Sequence, residues 1–386
     1  MAKVPGGQST RAIHGLPHQR ADHEPLVSPI YQSSTFAHAV GSTDEVWYTR
    51  YGNNPNQTVL ARKLAALEQA DQAIYLSSGM GATALAHLAV LRPGDHLLAS
   101  EWVYGGTRKL FDEEFGKLGI EVDYVTPDNP RNWRHKLRKT TRGVFIETPT
   151  NPLMRVLDLE PVADLCHQQG IVLVVDSTFA SPINFRALEY GADVVIHSAT
   201  KYINGHSDVI GGVVAGSEEI VEEVRRLMQV WGQSPDPHAT WLVERGLKTL
   251  AVRVERHNEN GITFAEWAKE QVAVAAVHYP GLPEHPDHEV ASRQLDGYGG
   301  MVGLELAGGP SAADVVLRKL RLATHAPSLG GVETLVSEPR FTSHATMPVA
   351  TRKAIGIPDG FIRVSLGIED VEDIIADFDA AFAALT

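Results

Sequence analysis

Cysteine is almost absent from this sequence. Cys166 is the single cysteine among 386 residues, so no disulfide can form within the chain, and such usage is typical of a reducing compartment. Long apolar runs are also absent, since no segment approaches the roughly eighteen residues that a membrane-spanning helix needs. Residues 1–17 lack the apolar core of a secretory signal. We therefore expect a cytoplasmic protein with no membrane partner.

Positive charge is scarce. The chain has 34 Lys and Arg against 47 Asp and Glu, which gives a formal net charge of −13. This balance argues against a nucleic-acid partner, because binding to a phosphate backbone needs clustered Lys and Arg. An anionic small molecule would therefore need a locally basic pocket. The hydrophobic fraction of 43% and the charged fraction of 21% are ordinary for a globular protein.

The pattern along the chain divides it into three regions. Residues 1–53 are polar, rich in Gly, Pro and Ser, and predict an extended N-terminal arm. Residues 54–252 alternate apolar strands with amphipathic helices, which predicts βαβ units and a mostly parallel sheet. Residues 253–386 mix strands with amphipathic helices and predict a smaller α+β domain.

Short apolar segments mark the strands of the large domain. Between two of them we expect a helix that has Asp158 as its N-cap and stops at Gly170. Near-continuous apolar strands indicate a sheet that is buried on both faces. The predicted strands lie at 73–78, 96–100, 143–148, 171–177, 194–199 and 211–216.

Polar residues with chemical potential follow three of these segments. Asp176 closes one strand, Lys201 follows the hydroxyls of Ser198 and Thr200 after another, and the segment 77–82 (SSGMGA) joins a strand to a helix. A lone Asp or Lys at such a place is usually an anchor or a solvated charge. Ligands of parallel sheets gather at the carboxyl ends of the strands, however, so these residues are expected to converge.

The glycine-rich segment has two interpretations. Gly79, Gly81 and Ala84 fit the dinucleotide fingerprint, and Glu101 follows Gly81 by 20 residues. A nicotinamide-dependent oxidoreductase is therefore an alternative, but it leaves Asp176 and Lys201 without a role. A phosphorylated aldehyde cofactor uses all three segments, because a helix N-terminus and hydroxyls bind phosphate, Lys forms a Schiff base and Asp holds a protonated pyridine.

Histidine and cysteine do not predict a metal site. His197 and His206 have no third ligand at a suitable spacing. His285 and His288 form an isolated pair in a Pro-rich loop, and Cys166 lies among apolar residues of a predicted helix. We expect loop and packing roles for these residues.

The order of the motifs is similar to that of a known family. The chain resembles the Cys/Met-metabolism enzymes that depend on pyridoxal 5′-phosphate (PLP), which include cystathionine γ-lyase, cystathionine β-lyase, cystathionine γ-synthase and methionine γ-lyase. Nine segments in the family's order carry the resemblance: YTRYGNNP, SSGMGA, VYGGT, ETPTNP, VVDSTFASP, HSATKYINGHSDVIGG, YPGLPEHPDH, SLGGVETL and IRVSLGIEDVED.

The resemblance implies a cofactor site. Lys201 would bind the cofactor covalently and shuttle protons, Asp176 would pair with the pyridine nitrogen, and Tyr104 would stack on the ring and protonate the leaving sulfur. The implied phosphate ligands are Gly79, Met80, Ser198 and Thr200, together with Tyr48 and Arg50 from a neighbouring subunit. The family further implies the aspartate-aminotransferase fold (fold type I, α/β) and a homotetramer with shared active sites.

The resemblance also implies a substrate site. Arg363 and Ser328 would bind the carboxylate of an amino-acid substrate, and Asn151 would contact both cofactor and substrate. Glu333 stands where γ-lyases and γ-synthases carry an acid that faces the distal amine of cystathionine, so cystathionine is the expected substrate. Gly106 replaces the Cys that methionine γ-lyases tend to carry after the active-site Tyr, which makes methionine less favoured.

The sequence departs from the family's pattern at two further places. Asn53 and Asn54 both precede Pro55, where the family commonly has one Asn, and Ser177 replaces the Asn of many members. We therefore expect a PLP-dependent lyase that cleaves cystathionine by γ- or β-elimination. Cystathionine γ-synthase, which adds a second nucleophile to an O-acylhomoserine, is the alternative within the family.

Overall fold

Two β-sheets organise the computed structural model, which describes residues 6–16, 21–127, 129–345, 347 and 349–385. The first sheet has seven strands in the order β1-β7-β6-β5-β4-β2-β3. Its strands are β1 (Gln72–Leu76), β2 (His96–Ser100), β3 (Glu121–Val125), β4 (Thr141–Glu147), β5 (Val172–Asp176), β6 (Val194–Ser198) and β7 (Gly212–Gly216).

Strand β7 is antiparallel to both of its neighbours, β1 and β6, and the other neighbours in this sheet run parallel. The mostly parallel sheet predicted from the alternating pattern is thereby confirmed. All residues of β2 and β7 are buried, because apolar helices cover both faces of the sheet.

Helices α1 to α9 lie in the same part of the chain as this sheet. Leu85 of α3 and Val221 of α8 pack in a core on one face, whereas Val162 and Cys166 of α6 pack in a core on the other. These helices are α1 (Gln8–His14), α2 (Pro55–Glu68), α3 (Gly79–Val90), α4 (Gly105–Glu113), α5 (Pro130–Lys136), α6 (Glu160–Gln169), α7 (Ser181–Asn184), α8 (Glu218–Trp231) and α9 (Pro237–Leu247).

The second sheet has five strands in the order β10-β11-β12-β9-β8 and is mainly antiparallel. Its strands are β8 (Val274–His278), β9 (Met301–Leu306), β10 (Thr324–His325), β11 (Leu335–Ser337) and β12 (Phe361–Ser365). The remaining helices are α10 (Leu250–Lys269), α11 (His288–Gln294), α12 (Gly309–Lys319), α13 (Val349–Ala354) and α14 (Val371–Phe382). Short 3₁₀ helices lie at Thr49–Tyr51, Phe115–Leu118, Ala187–Tyr190 and Ala383–Leu385.

The smaller unit has its own core, in which Val316 of α12 and Phe378 of α14 pack against Val302 of β9. Helix α10 begins at Leu250, so the predicted boundary after residue 252 falls in its first turn. The division at 53 and 252 stays a prediction. None of the helices described is long and apolar enough to cross a membrane.

Two local predictions were wrong. Asp158 does not cap α6, since Leu159 occupies the N-cap position and the Asp158 carboxylate accepts a hydrogen bond from Arg293 at 2.6 Å. The arm contains a helix, α1, that its weak periodicity did not predict; Ala12 on α1 packs with Leu64 on α2. Gly170 does follow α6, with a φ of 62° that favours glycine.

Candidate active site

Three neighbouring strands end at one edge of the large sheet. Strand β4 ends at Glu147, β5 at Asp176 and β6 at Ser198, and Glu147 lies directly beside Asp176 in the register of the two parallel strands. Because parallel strands place their carboxyl ends together, the side chains at these ends converge here. The convergence expected from the sequence is present.

Asp176 lies in a hydrogen-bonded turn. Its Oδ1 accepts from the amide of Thr178 at 3.0 Å and from the hydroxyl of Thr178 at 2.5 Å. The same hydroxyl oxygen accepts from the amide of Ser198 at 2.8 Å, which ties the two strand ends together. Burial raises the pKa of the Asp176 carboxyl, against the lowering effect of the Thr178 hydrogen bonds. A cation placed beside this carboxylate would therefore stabilise its ionised form.

The N-terminus of α3 provides a cradle for an anion. Ser78 caps the helix by accepting from the amide of Gly81 at 3.0 Å. Within the described part of the chain, the amides of Gly79 and Met80 find no acceptor, as is usual for the first turn of a helix. A Cβ atom at Gly79 would lie 2.9 Å from the Ser198 hydroxyl oxygen, so glycine permits this close approach. Free amides, a hydroxyl and the helix dipole together fit a phosphate.

Thr200 contributes differently. Its hydroxyl oxygen accepts from the amide of Gly211 at 3.1 Å and is 3.4 Å from the Gly211 carbonyl oxygen. The hydroxyl thus joins the segment after β6 to the segment before β7. Its predicted contact with phosphate stays a prediction.

Lys201 lies in the same edge region, after β6. Its Nζ is 3.1 Å from the hydroxyl of Ser328. Burial, and then the positive charge of Arg363, lowers the pKa of Lys201 to about 8. A substantial fraction of this amine is therefore neutral near pH 8, and a neutral amine is what attacks an aldehyde or accepts a proton. Ser328 has a φ of 95°, a backbone conformation that is unusual for a residue with a side chain.

Arg363 lies in a cluster with Asn151 and Ser328. Its Nη1 donates to Oδ1 of Asn151 and its Nη2 to the carbonyl oxygen of Ser328, both at 2.9 Å. Its buried Nε finds no acceptor among the residues that the structure describes. Burial lowers the pKa of Arg363 to about 10. A buried guanidinium with a free donor fits a carboxylate ligand, which would supply both the charge and the missing acceptor.

Tyr104 stands at the mouth of this cluster. It is the N-cap residue of α4, and 42% of its surface is exposed. A Cβ atom at Gly106 would lie 2.5 Å from the Tyr104 ring and 3.2 Å from the Met80 sulfur, so the ring lies close to the start of α3. The backbone amide of Tyr104 donates to the carboxylate of Glu147 at 2.6 Å, which places Tyr104 beside the end of β4.

Tyr48 and Arg50 do not join the cluster within one chain. The Arg50 guanidinium donates to the carbonyl of Gln229 near the end of α8 and lies 5.2 Å from the centre of the Tyr51 ring and 5.5 Å from that of Tyr48. Arg50 is exposed. Their predicted contact with a neighbouring subunit's phosphate stays a prediction.

Glu333 is exposed, and its Oε2 is 3.3 Å from the hydroxyl of Ser207. It lines an open cavity of about 510 Å³ that also contains Thr200 and Ser328. The cavity therefore runs from the neighbourhood of Lys201 to Glu333.

The second asparagine before Pro55 has a structural role. Asn54 caps α2 and forms a capping box with Gln57, while Oδ1 of Asn53 accepts from the amide of Tyr48 at 2.9 Å. The two asparagines therefore hold the arm segment of Tyr48 against the start of α2.

Sequence reasoning missed two residues of the site, Glu147 and Thr178. Glu147 is the first residue of the ETPTNP segment and closes a strand, as Asp176 does. Thr178 follows Asp176 by two positions, the spacing at which a carboxylate bonds the chain after it. Both features are visible in the sequence. Only the pairing of β4, β5 and β6 shows that the two residues lie in one site.

The histidines considered for a metal take part in other contacts. His197 binds Glu68 at 2.5 Å, His206 binds the carbonyl of Asn204 at 2.6 Å, and His288 binds the carbonyl of Pro280 at 2.9 Å. His285 is 3.5 Å from the carbonyl of Leu153. No group of three potential ligands occurs among the described residues.

Known proteins of similar sequence point to the same cofactor. The family model for Cys/Met-metabolism PLP-dependent enzymes matches residues 9–383. Cystathionine γ-synthase of Mycobacterium leprae is 42% identical over 97% of this chain and 96% of its own. L-Methionine γ-lyase of Fusobacterium nucleatum subsp. polymorphum is 40% identical over 97% of both chains, and cystathionine β-lyase of Coxiella burnetii is 39% identical over 96% of this chain and 97% of its own.

Solved structures agree with these relatives. Cystathionine γ-synthase of Xanthomonas oryzae pv. oryzae, in complex with aminoacrylate and cysteine, superposes with a TM-score of 0.94 and 38% identity over 98% of both chains. Cystathionine γ-lyase of Lactobacillus plantarum, complexed with L-serine, gives 0.93 and 33% over 98% of this chain and 99% of that one. The fold type I architecture is confirmed, and the dinucleotide interpretation of the glycine-rich segment is abandoned. The chain belongs to the Cys/Met-metabolism family of PLP-dependent enzymes, and PLP is its cofactor.

Proposed function

We propose that the chain is a C–S lyase that acts on L-cystathionine. γ-Elimination would convert cystathionine and water into cysteine, 2-oxobutanoate and ammonia, and β-elimination at the same site would give homocysteine, pyruvate and ammonia. The observation that carries this proposal is the open cavity that joins Ser328, beside Lys201, to the exposed carboxylate of Glu333. A substrate with an amino-acid group at each end would bring an ammonium group to the negative charge of Glu333.

The residues fit the cofactor and its chemistry. PLP supplies an aldehyde that condenses with amines and a ring that stores the electrons released when a Cα proton leaves. Gly79, Met80 and Ser198 would hold its phosphate at the start of α3, and Asp176 would face the ring nitrogen and keep it protonated. Lys201, whose pKa is lowered to about 8, would take the Cα proton and return it later.

The cluster around Arg363 would orient the substrate. Its guanidinium, with Asn151 and Ser328, would bind the α-carboxylate, so the Cα proton would point toward Lys201. Tyr104 would lie near the leaving sulfur and donate the proton that the departing thiolate needs. The distal ammonium would then lie near Glu333, where an exposed ion pair contributes about 1 kcal/mol or less.

Alternatives within the family differ in the steps that come after the first proton transfer. Gly106 stands where methionine γ-lyases tend to carry a Cys, and the Tyr104 ring and the Met80 sulfur lie where its side chain would begin, which makes methionine the less favoured substrate. Cystathionine γ-synthase remains the second candidate, because its relatives are as similar to the chain as the lyases are. It would use the same residues and admit a second amino acid instead of water.

We further propose a homotetramer in which Tyr48 and Arg50 complete the site of an adjacent subunit. The support is the exposure of Arg50 in the arm and the absence, in the described part of one chain, of any contact from either residue to the Lys201 cluster. Arginine suits phosphate because its planar fork donates two hydrogen bonds at once.

The decisive experiment is a product assay with the Glu333→Val variant. Wild-type protein supplied with cystathionine alone should release cysteine and 2-oxobutanoate, and added O-acetylhomoserine with cysteine should not be required. Glu333→Val should raise the KM for cystathionine several-fold, because a partly exposed ion pair is lost. Its effect on short substrates such as homocysteine should be smaller.

Two controls define the result. Glu266→Val, at an exposed position on α10, should leave the KM unchanged. Equal effects of Glu333→Val on long and short substrates would show that Glu333 does not bind the distal amine. Product formation only when O-acetylhomoserine and cysteine are both present would instead identify a synthase.

A further inference from the structure

Glu147 holds two loops of the candidate site at once. Its Oε2 accepts from the backbone amide of Tyr104 at 2.6 Å, and its Oε1 accepts from the backbone amide of Asn151 at 2.9 Å. Tyr104 follows β2, whereas Asn151 follows β4 itself. One carboxylate at the end of β4 therefore sets the backbone position of residues from two separate connections.

The position is electrostatically unfavourable. Glu147 is 4% exposed and lies directly beside Asp176 in the strand register. Burial, and then the charge of Asp176, raises the pKa of Glu147, while the two amide hydrogen bonds lower it. The described residues include no ion-pair partner for this carboxylate. An unpaired buried acid destabilises a fold. Glu147 therefore contributes through the two backbone amides that it binds, not through stability.

Tyr104 and Asn151 depend on these two hydrogen bonds in different ways. The side chain of Tyr104 is 42% exposed, so packing does not fix it, and its amide bond to Glu147 sets the start of α4. Asn151 uses its side-chain oxygen to bind Arg363 at 2.9 Å, so a shift of its backbone would move the partner of the guanidinium.

We propose that Glu147 is a positioning residue whose two oxygens set Tyr104 for the leaving group and Asn151 with Arg363 for the substrate carboxylate. This inference rests on the proposed function, since that function assigns roles to Tyr104 and Asn151. Glu147 itself touches neither substrate nor cofactor. It acts on the reaction through the two backbone amides alone.

Glu147→Gln tests the assignment. The amide side chain has the same size but only one accepting oxygen, so one of the two loops loses its anchor. We expect the PLP-loaded variant to keep the visible absorption band of the cofactor, because the phosphate cradle is intact. The dissociation constant for glycine, followed through the change in that band, should rise roughly tenfold, and kcat with cystathionine should fall by at least roughly tenfold, as is typical for loss of a hydrogen bond to a charged group.

A matched control separates positioning from stability. Glu244 on α9 is also a buried glutamate, but it pairs with Lys63 on α2 at 2.8 Å. Glu244→Gln should lower the unfolding midpoint and leave the affinity for glycine unchanged. If both variants weaken glycine binding equally, or if Glu147→Gln leaves glycine binding and kcat at the wild-type values, the proposal is wrong.

A second variant covers a failure to fold. Glu147→Asp keeps the charge but is one methylene shorter and cannot reach both amides, so it should show the same loss of glycine affinity. Unfolding of both variants would show that the role is structural and overturn the proposal. A wild-type protein that does not cleave cystathionine would refute the proposed function, whereas a change in glycine affinity would still support Glu147.

Discussion

At the scale of single residues, the site depends on charged groups that are partly removed from water. Lys201 has a pKa lowered to about 8, Asp176 has a raised pKa, and Arg363 has a pKa lowered to about 10, in each case mainly because of burial. Each group is thus less stable in its charged form than it would be in water. A ligand that brings a phosphate, a pyridinium and a carboxylate would meet all three needs.

The role of Lys201 predicts a covalent bond to the cofactor. PLP-loaded protein should show a visible band, and borohydride should trap the cofactor on Lys201. Lys201→Ala should lose turnover and the trapped adduct while keeping its fold. Lys139→Ala is the matched control, because Lys139 is exposed and precedes β4, at the opposite edge of the sheet. A trapped adduct that persists in Lys201→Ala would show that another amine carries the cofactor.

The role of Asp176 predicts a charge effect. In the proposed role, Asp176→Asn keeps the shape and removes the negative charge that would lie beside the ring nitrogen, so the ring would no longer be held protonated. We expect turnover to fall by several orders of magnitude, with a modest loss of PLP affinity. Asp164→Asn, at an exposed position on α6, should behave as wild type. Turnover near the wild-type value in Asp176→Asn would refute the role.

At the scale of elements, the parallel strands and the arm have different parts in the site. Strands β4, β5 and β6 bring Glu147, Asp176 and Ser198 to one edge through their register alone. The arm carries Tyr48 and Arg50, which contact Asn53 and the end of α8 in their own chain. An arm with few buried residues gains stability when it docks on another surface.

The arm predicts complementation between inactive chains. If Arg50 completes a neighbouring subunit's site as proposed, Arg50→Ala and Lys201→Ala each lack one residue of that site, and mixed dimers should contain one site with both wild-type residues. Co-expression should restore measurable activity, whereas Arg50→Ala chains mixed with chains that carry both substitutions should not. Mixed dimers that form but stay inactive would place Arg50 outside the neighbouring site.

At the scale of the whole molecule, buried histidines make stability depend on pH. His87 is 1% exposed, and its ring lies 5.0 Å from those of Phe111 and Phe145. Burial lowers its pKa from 6.5 to about 4. As the pH falls through this interval, the unfolded chain binds a proton that the folded chain does not, so the stability present above about pH 6.5 is lost.

Removal of His87 should flatten this dependence. In His87→Leu, the free energy of unfolding should fall less steeply between about pH 6.5 and about pH 4, by up to about 1.4 kcal/mol per pH unit. Urea unfolding at several pH values measures the slope. His135→Leu, at an exposed position on α5, should keep the wild-type slope. An unchanged slope in His87→Leu would mean that His87 is protonated in the folded protein.

Local sequence patterns are enough to predict much of the architecture. β-Branched segments predicted the strands of the large sheet, and Asp176, Ser198 and Lys201 were recognisable because polar residues followed apolar strands. The sequence could not predict α1, whose Ala12 gains its place by packing on α2. It also assigned Asp158 to a helix cap, whereas Arg293, 135 residues away along the chain, binds that carboxylate.

Tertiary structure decided the contacts between distant residues. The role of Glu147 depends on the fold, because the connections after β2 and β4 bring the amides of Tyr104 and Asn151 to one carboxylate. Arg363 on β12 meets Asn151, which follows β4, only because the fold brings these two distant parts of the chain together. The physical reason is range: helix periodicity, strand pattern and turn chemistry act between neighbours in sequence, whereas burial, ion pairing and pKa shifts depend on groups that the fold alone brings together.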